Sequence, residues 1–297
     1  MESAESRIVA RHGALARRAL GVYGAGIFLF LFAPIVVLVV FSFNANRYGT
    51  FPITGWTTDW YSQVFHDFEI QDAISTSLKV AVQVVVVSTV IGTAGAFPLV
   101  RSNLPFRNAV RLGFTLPIMI PGLLIGVSLL VLFTQVLQIG ELGLETAVIG
   151  QSVFCTPFVL LLVASRLEGF DRSVERAAAD LGANAVQRLR HVVLPLLAPA
   201  IVAGALFAFT LSIDEYVITS FLIGSNSTLP IYIFGQVKAG ITPEVNALAT
   251  LLIVASVLLL GSAAALALAL RRVRRWMPEL RRRPPAAQPP RAVIGAS

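Results

Sequence analysis

Runs of about 20 predominantly apolar residues recur along almost the whole length of this chain, and a run of that length crosses the hydrocarbon core of a bilayer as a helix. The runs are continuous rather than alternating, so in lipid their backbone N–H and C=O groups are satisfied within helices and not in barrel strands. The sequence therefore predicts an all-α polytopic membrane protein. Six spans are expected, roughly at residues 20–43, 74–100, 109–138, 146–167, 195–223 and 244–270. Apolar residues make up 56% of the 297 and charged residues 13%, a balance too oily for an ordinary soluble domain. Because the runs recur instead of standing once at the start, a secreted chain with a cleavable leader is not the expectation.

Positive charge sets the orientation. Arg7, Arg11, Arg17 and Arg18 precede the first span, Arg101, Arg107 and Arg111 follow the second, and Arg166, Arg172, Arg176, Arg188 and Arg190 lie between the fourth and fifth. Eight further arginines follow residue 270; of the 23 Lys and Arg, only Arg47, Lys79 and Lys238 fall elsewhere. This alternation places both termini in the cytoplasm, with a tail at 1–19 and another at 271–297 that is too rich in Pro and Arg to fold beyond about Glu279. The tail's arginines favour anionic lipid headgroups. On the opposite face, residues 44–73 carry Asp59, Asp67, Glu69 and Asp72 with Tyr48, Trp56, Trp60 and Tyr61, which suits a helix lying at the interface.

Several function classes are excluded on chemistry. The single cysteine, Cys155, sits in an apolar run and reads as a buried, inert thiol, and His12, His66 and His191 have no ligand spacing between them, so no metal site is expected. Neither Lys79 nor Lys238 stands in a Gly-rich phosphate-binding context, so the chain cannot hydrolyse ATP and no cofactor is implied. Topology accounts for the basic balance without nucleic acid.

Between the fourth and fifth runs lies a polar segment, 168–194, that includes SVERAAADLGANAVQRLRHVV. Its Ala-rich helix is interrupted at Gly182, where a left-handed residue can end the helix and turn the chain. A second short helix carrying Arg188, Arg190 and His191 is expected to follow, and Pro195 suits the first turn of the next span. A loop that merely joined two spans could be far shorter. The pattern resembles the cytoplasmic signature of membrane subunits of binding-protein-dependent ABC importers: Glu-Ala-Ala, three residues, Gly, nine residues, an apolar residue, one residue, Leu-Pro. Ala177, Ala178, Gly182, Val192, Leu194 and Pro195 match it, whereas Arg176 occupies the glutamate position with Glu175 one place earlier.

The resemblance implies a type I ABC importer permease fold in a bacterial inner membrane. It makes Glu175, Arg176, Ala177, Ala178, Gly182, Arg188, Val192, Leu194 and Pro195 a coupling segment seated on an ATPase subunit that binds ATP and Mg. The implied partners are a homologous permease, two ATPase subunits and an external solute-binding protein. The stretches VVVLVVFSFNANRYG, FTLSIDEYVITSFLIG and GITPEVNALATLLIV are similar to the second membrane subunit of spermidine/putrescine permeases. A permease for another small solute shares this frame and is the alternative.

Within the fifth run, Asp214 and Glu215 are the notable intramembrane charges, and ionised carboxylates at that depth normally face a hydrated path or a cation. Asp214 lies roughly 28 Å along the run from Pro195, toward its outer end. Adjacent residues point about 100° apart, so one of the two is expected to face the path while the other pairs elsewhere. Tyr216 and Tyr232 offer aromatic faces to a cationic solute. Thr242-Pro243-Glu244 reads as a helix start, Pro117 and Pro121 as bends in the third span, and Lys79 as a side chain that snorkels outward or pairs with the acids. An ion-coupled carrier would show internal repeats, and none is convincing. A membrane hydrolase would need a nucleophile–base pair, which two adjacent acids do not supply.

Overall fold

The computed structural model describes the backbone of residues 2–49, 51–102, 107–240 and 242–276. The disordered tail expected beyond Glu279 lies outside the described residues. Two compact units emerge, one from the chain's two ends and one from residues 45–245.

The first unit contains α1 (Glu2–Phe41) and most of α12 (Pro243–Trp276). Residues Arg17–Phe41 of α1 form a candidate span, apolar on every face, with Phe28 stacked on Phe32 at 6.1 Å. A helix that is hydrophobic all round belongs in lipid or against other membrane helices. The start of α12 follows the predicted cap: the Val245 N–H reaches the Thr242 hydroxyl at 3.5 Å, with Pro243 and Glu244 in the first turn.

The second unit begins with α2 (Asp59–His66) and α3 (Phe68–Arg101). The Asp67 carboxylate accepts the N–H groups of Glu69 and Ile70 and starts α3 six residues before the predicted 74. Around α3 pack α6 (Leu144–Glu168) and α9 (Leu194–Asp214), and these three helices supply most of the buried core. Small residues allow the approach: a Cβ on Gly92 would stand 2.9 Å from the Val159 Cβ, and one on Gly204 would stand 3.1 Å from its Cγ1. Val84, Ala96, Val159, Leu160, Val163, Leu197 and Ala208 are buried there.

The predicted third span is broken. The backbone turns by 101° between residues 108–119 of α4 (Arg107–Met119) and a helical stretch, 122–136, that opens with α5 (Gly122–Val131). Pro117 and Pro121 remove two N–H donors at that corner, and Pro121 adopts an extended ψ of 133°. The predicted fifth span is also shorter than 195–223, because α9 ends at Asp214 and a separate helix, α10 (Val217–Leu222), follows. With these breaks, four helices among the described residues are long and apolar enough to cross a bilayer, or five if the bent pair counts as one span.

Helix α10 lies against α5 and α6, and buried polar groups fix it. The Gln151 amide donates to the Thr219 hydroxyl at 2.6 Å and accepts from Ser212, so one side chain on α6 bridges α9 and α10. The Thr146 hydroxyl accepts the Gly143 N–H at 2.9 Å and donates to the Leu222 carbonyl at 2.6 Å. Such interhelical bonds in a membrane contribute about 0.6 kcal/mol each, and they orient the helix more than they hold it. The last helix of the unit, α11 (Leu229–Ala239), begins where the Leu229 N–H meets the Ser77 hydroxyl of α3 at 2.8 Å.

Candidate functional site

The polar segment 168–194 is built as a bent rod. Asp171 caps α7 (Arg172–Asp180), accepting the Ser173 N–H at 2.8 Å and its hydroxyl at 2.7 Å. Those bonds, with Arg176 nearby, hold the Asp171 carboxyl below the usual aspartate range. At the far end Gly182 takes φ +85°, its N–H bonds Ala179 O at 2.9 Å, and the Ala183 N–H bonds Ala178 O at 3.0 Å. This paired 6→1 and 5→2 arrangement ends α7 as the glycine predicted. Asn184 and Gln187 then exchange side-chain-to-backbone bonds, both at 2.9 Å, to open α8 (Ala185–Arg188).

Pro195 stands in the first turn of α9, as expected, and α8 runs into that helix without a break through a π-turn at Leu189–Val193, giving one continuous helix over Ala185–Asp214. A proline cannot donate to the carbonyl four residues back and its ring crowds that carbonyl, so the wider turn just before Pro195 absorbs the misfit. Val192 and Leu194 are half-buried, Pro195 is exposed, and it is Val193, between the signature positions, that is fully buried.

Glu175 is engaged inside the chain. Its carboxylate forms a two-pronged pair with Arg101 at the end of α3, at 2.8 and 2.9 Å, and the guanidinium lies 5.5 and 5.8 Å from the rings of Phe97 and Phe170. Arg101 was not foreseen as part of the segment, since it lies 74 residues away in sequence. Around this pair opens a cavity of about 520 Å³ lined by Arg101, Arg172, Glu175, Arg176 and Arg188. The tip of the rod exposes apolar side chains, Leu181 at 89% and Val186 at 71%.

The second group of predicted residues is only partly brought together. Asp214 is exposed at the end of α9, whereas Glu215 turns inward and accepts the Ile218 N–H at 2.6 Å, capping α10. That cap explains why the fifth span stops where hydropathy alone continues it. Tyr216 packs on Phe234 of α11 with centroids 4.4 Å apart, and the Lys238 ammonium lies 4.6 Å from the Phe234 centroid. Tyr232 belongs to a different environment, where burial and then the carboxylates of Asp67 and Glu244 push its phenol up to about 12. Lys79 is exposed and, among the described residues, makes no ion pair with Asp214 or Glu215.

Residues 88–275 match the family of binding-protein-dependent transport system inner membrane components. The putrescine transport system permease PotI of Escherichia coli K12 is 40% identical over 233 residues, which cover 76% of this chain and 82% of PotI. The spermidine/putrescine permease PotC of the same organism is 40% identical over 240 residues, covering 80% and 90% of the two chains. PotC of Haemophilus influenzae is likewise 40% identical, over 234 residues, covering 78% and 90%. Among solved structures, a bacterial ABC transporter involved in the import of alginate aligns with a TM-score of 0.63 at 20% identity, covering 84% of this chain and 96% of that one. The MetNI methionine transporter aligns at 0.54 and 19%, covering 72% and 98%. This chain therefore belongs to the binding-protein-dependent transport system inner membrane components and is a multi-pass, non-catalytic inner-membrane permease subunit of an ABC importer, homologous to the spermidine/putrescine permeases.

Proposed function

We propose that the chain forms half of the translocation pathway for a polyamine such as putrescine or spermidine. In this reading it crosses the membrane six times with both termini in the cytoplasm, the bent pair α4–α5 and the helix α12 supplying the third and sixth crossings. A homologous permease completes the pathway, two ATPase subunits bind ATP and Mg and drive it, and an external binding protein delivers the solute. Residues 168–194 form the seat of one ATPase subunit.

The observation that carries the proposal is the rod itself. A polar segment held rigid by a double-bonded glycine turn and a reciprocal cap, yet presenting Leu181 and Val186 to solvent, is built to be covered by another protein. The substrate class is supported by the 40% identity to permeases named for putrescine and spermidine. Asp214, exposed and close to Tyr216, is the residue assigned to the solute path; Glu215, Tyr216 and Tyr232 shape its surroundings.

Reconstitution with the partner subunits in liposomes tests this. ATP-dependent uptake of labelled putrescine or spermidine is expected, abolished by Leu181→Asp and reduced by Asp214→Asn. Uptake by this chain without an ATPase subunit refutes the importer reading, and unaltered uptake by Asp214→Asn with Glu215→Gln removes the pathway role.

A further inference from the structure

The geometry points to the arginine-lined cavity beside α7 as a socket for a carboxylate side chain of the ATPase subunit. The inference rests on the reading that residues 168–194 seat that subunit, and it names the chemistry of the contact.

Four guanidinium groups and one carboxylate line the cavity. The carboxylate, Glu175, is already taken by Arg101 through both oxygens. Arg172 and Arg176, one helical turn apart on α7, are exposed beside it. Arg188 enters from α8 with its Nε buried and without a hydrogen-bond partner. The local balance is thus strongly positive, and the groups present planar forks that match a carboxylate with two parallel bonds.

Position decides what fills the socket. Along α7, Arg176 and the exposed Leu181 are separated by five residues, about 7.5 Å of helical rise. An interface of ordinary size buries about 800 Å² on each side, so a protein that covers Leu181 and Val186 also covers these arginines. Covering them without a counter-charge strips water from cations with nothing in return, so a partner that binds here must bring acids to this spot. Arg176 stands where the importer signature has glutamate, which reverses the charge offered at that position and calls for an acidic rather than a basic groove residue.

The test uses the assembled importer. Arg172→Glu with Arg176→Glu is expected to weaken retention of the ATPase subunit by on the order of 30-fold, because truncating or reversing one side of a buried pair acts on dissociation. Arg172→Gln with Arg176→Gln is expected to give an intermediate loss. Both residues are exposed, so permease yield and melting temperature should stay unchanged. A reciprocal Asp→Lys or Glu→Lys substitution in the ATPase groove should restore retention to the reversed permease. Cross-linking of Leu181→Cys to the ATPase subunit is measured in parallel. If the cross-link forms but the reversed permease holds its ATPase normally, the socket is refuted while the seating of the ATPase stands; if no cross-link forms, the seating itself falls. Loss that follows removal of anionic lipid or of inorganic phosphate, with no reciprocal rescue, also overturns the proposal, because the occupant is then a headgroup or a free anion.

Discussion

Replacing Gly182 by alanine isolates the role of the turn at the tip of the rod. The glycine sits at φ +85°, and a Cβ added there meets nothing within 4 Å, so the substitution creates no clash. Its cost is confined to the backbone, where an L-residue in the left-handed region loses about 1–2 kcal/mol. That shifts the ratio of formed to open turn by about 5–30-fold. The two amides that depend on the turn are those of Gly182 and Ala183, which donate to Ala179 O and Ala178 O. Hydrogen exchange at these amides should accelerate by that factor in Gly182→Ala, with the amides of α6 unchanged, and ATP-driven uptake should fall in step. Asparagine tolerates the left-handed region, so Gly182→Asn should recover most of the protection and the uptake. Native exchange in the alanine variant, or equal damage from alanine and asparagine, refutes the claim that backbone handedness sets this bend.

Two further perturbations read other parts of the chain. The Asp171 carboxyl is held low by its bonds to Ser173, so its contribution to the start of α7 is present above the ordinary aspartate value of about 4 and is lost as the pH falls through its lower folded value. Exchange of the α7 amides, corrected for intrinsic rates, should be flat near neutrality and rise only below about pH 4; Asp171→Asn should abolish the rise, and a transition near neutrality contradicts the assignment. In the core, Gly92→Ala forces a Cβ to within 2.9 Å of the Val159 Cβ and 3.0 Å of the Leu160 backbone nitrogen. Overpacking of this kind costs about 1–3 kcal/mol, read as a lower melting temperature in detergent, and an unchanged melt shows that α3 and α6 separate more easily than their contact implies.

What the sequence made legible follows from how each signal is encoded. Apolar length is local, so the helices α1, α3, α6 and α9 were visible in outline, and the chemistry of Gly182 is equally local. Hydropathy averages over a window and does not register a helix end inside an apolar run, so the expected fifth span runs on to 223 past the point where the Ile218 N–H meets Glu215. Asp67 carried a usable signal, an aspartate just before Phe68 and Ile70, yet the expected second span opens only at 74. Helix α11 is short and lies between the expected fifth and sixth spans. Arg101 and Glu175, Gln151 and Thr219, and Ser77 and Leu229 meet only after the chain has folded, across 74, 68 and 152 residues, and no spacing rule reaches that far.

The connections of the rod decide where a push on it is delivered. One route is the pair between Glu175 and Arg101, which reaches the last turn of α3. Its side chains are 24% and 22% exposed, and partly exposed ion pairs of this kind contribute on the order of 1 kcal/mol and weaken with salt. The other route is covalent and hydrogen-bonded throughout: from Ala185 to Asp214 the backbone is one helix of 30 residues, about 45 Å at ordinary helical rise. Bending that helix breaks several backbone bonds at once, except at the π-turn before Pro195, where the ladder is already displaced by one residue. A displacement of the tip is therefore carried mainly by α9, pivots at residues 189–193, and arrives at Asp214, where Gln151 ties Ser212 and Thr219 to α6. The exposed Asp214 thus stands at the far end of the 30-residue helix whose near end adjoins the turn that carries Leu181.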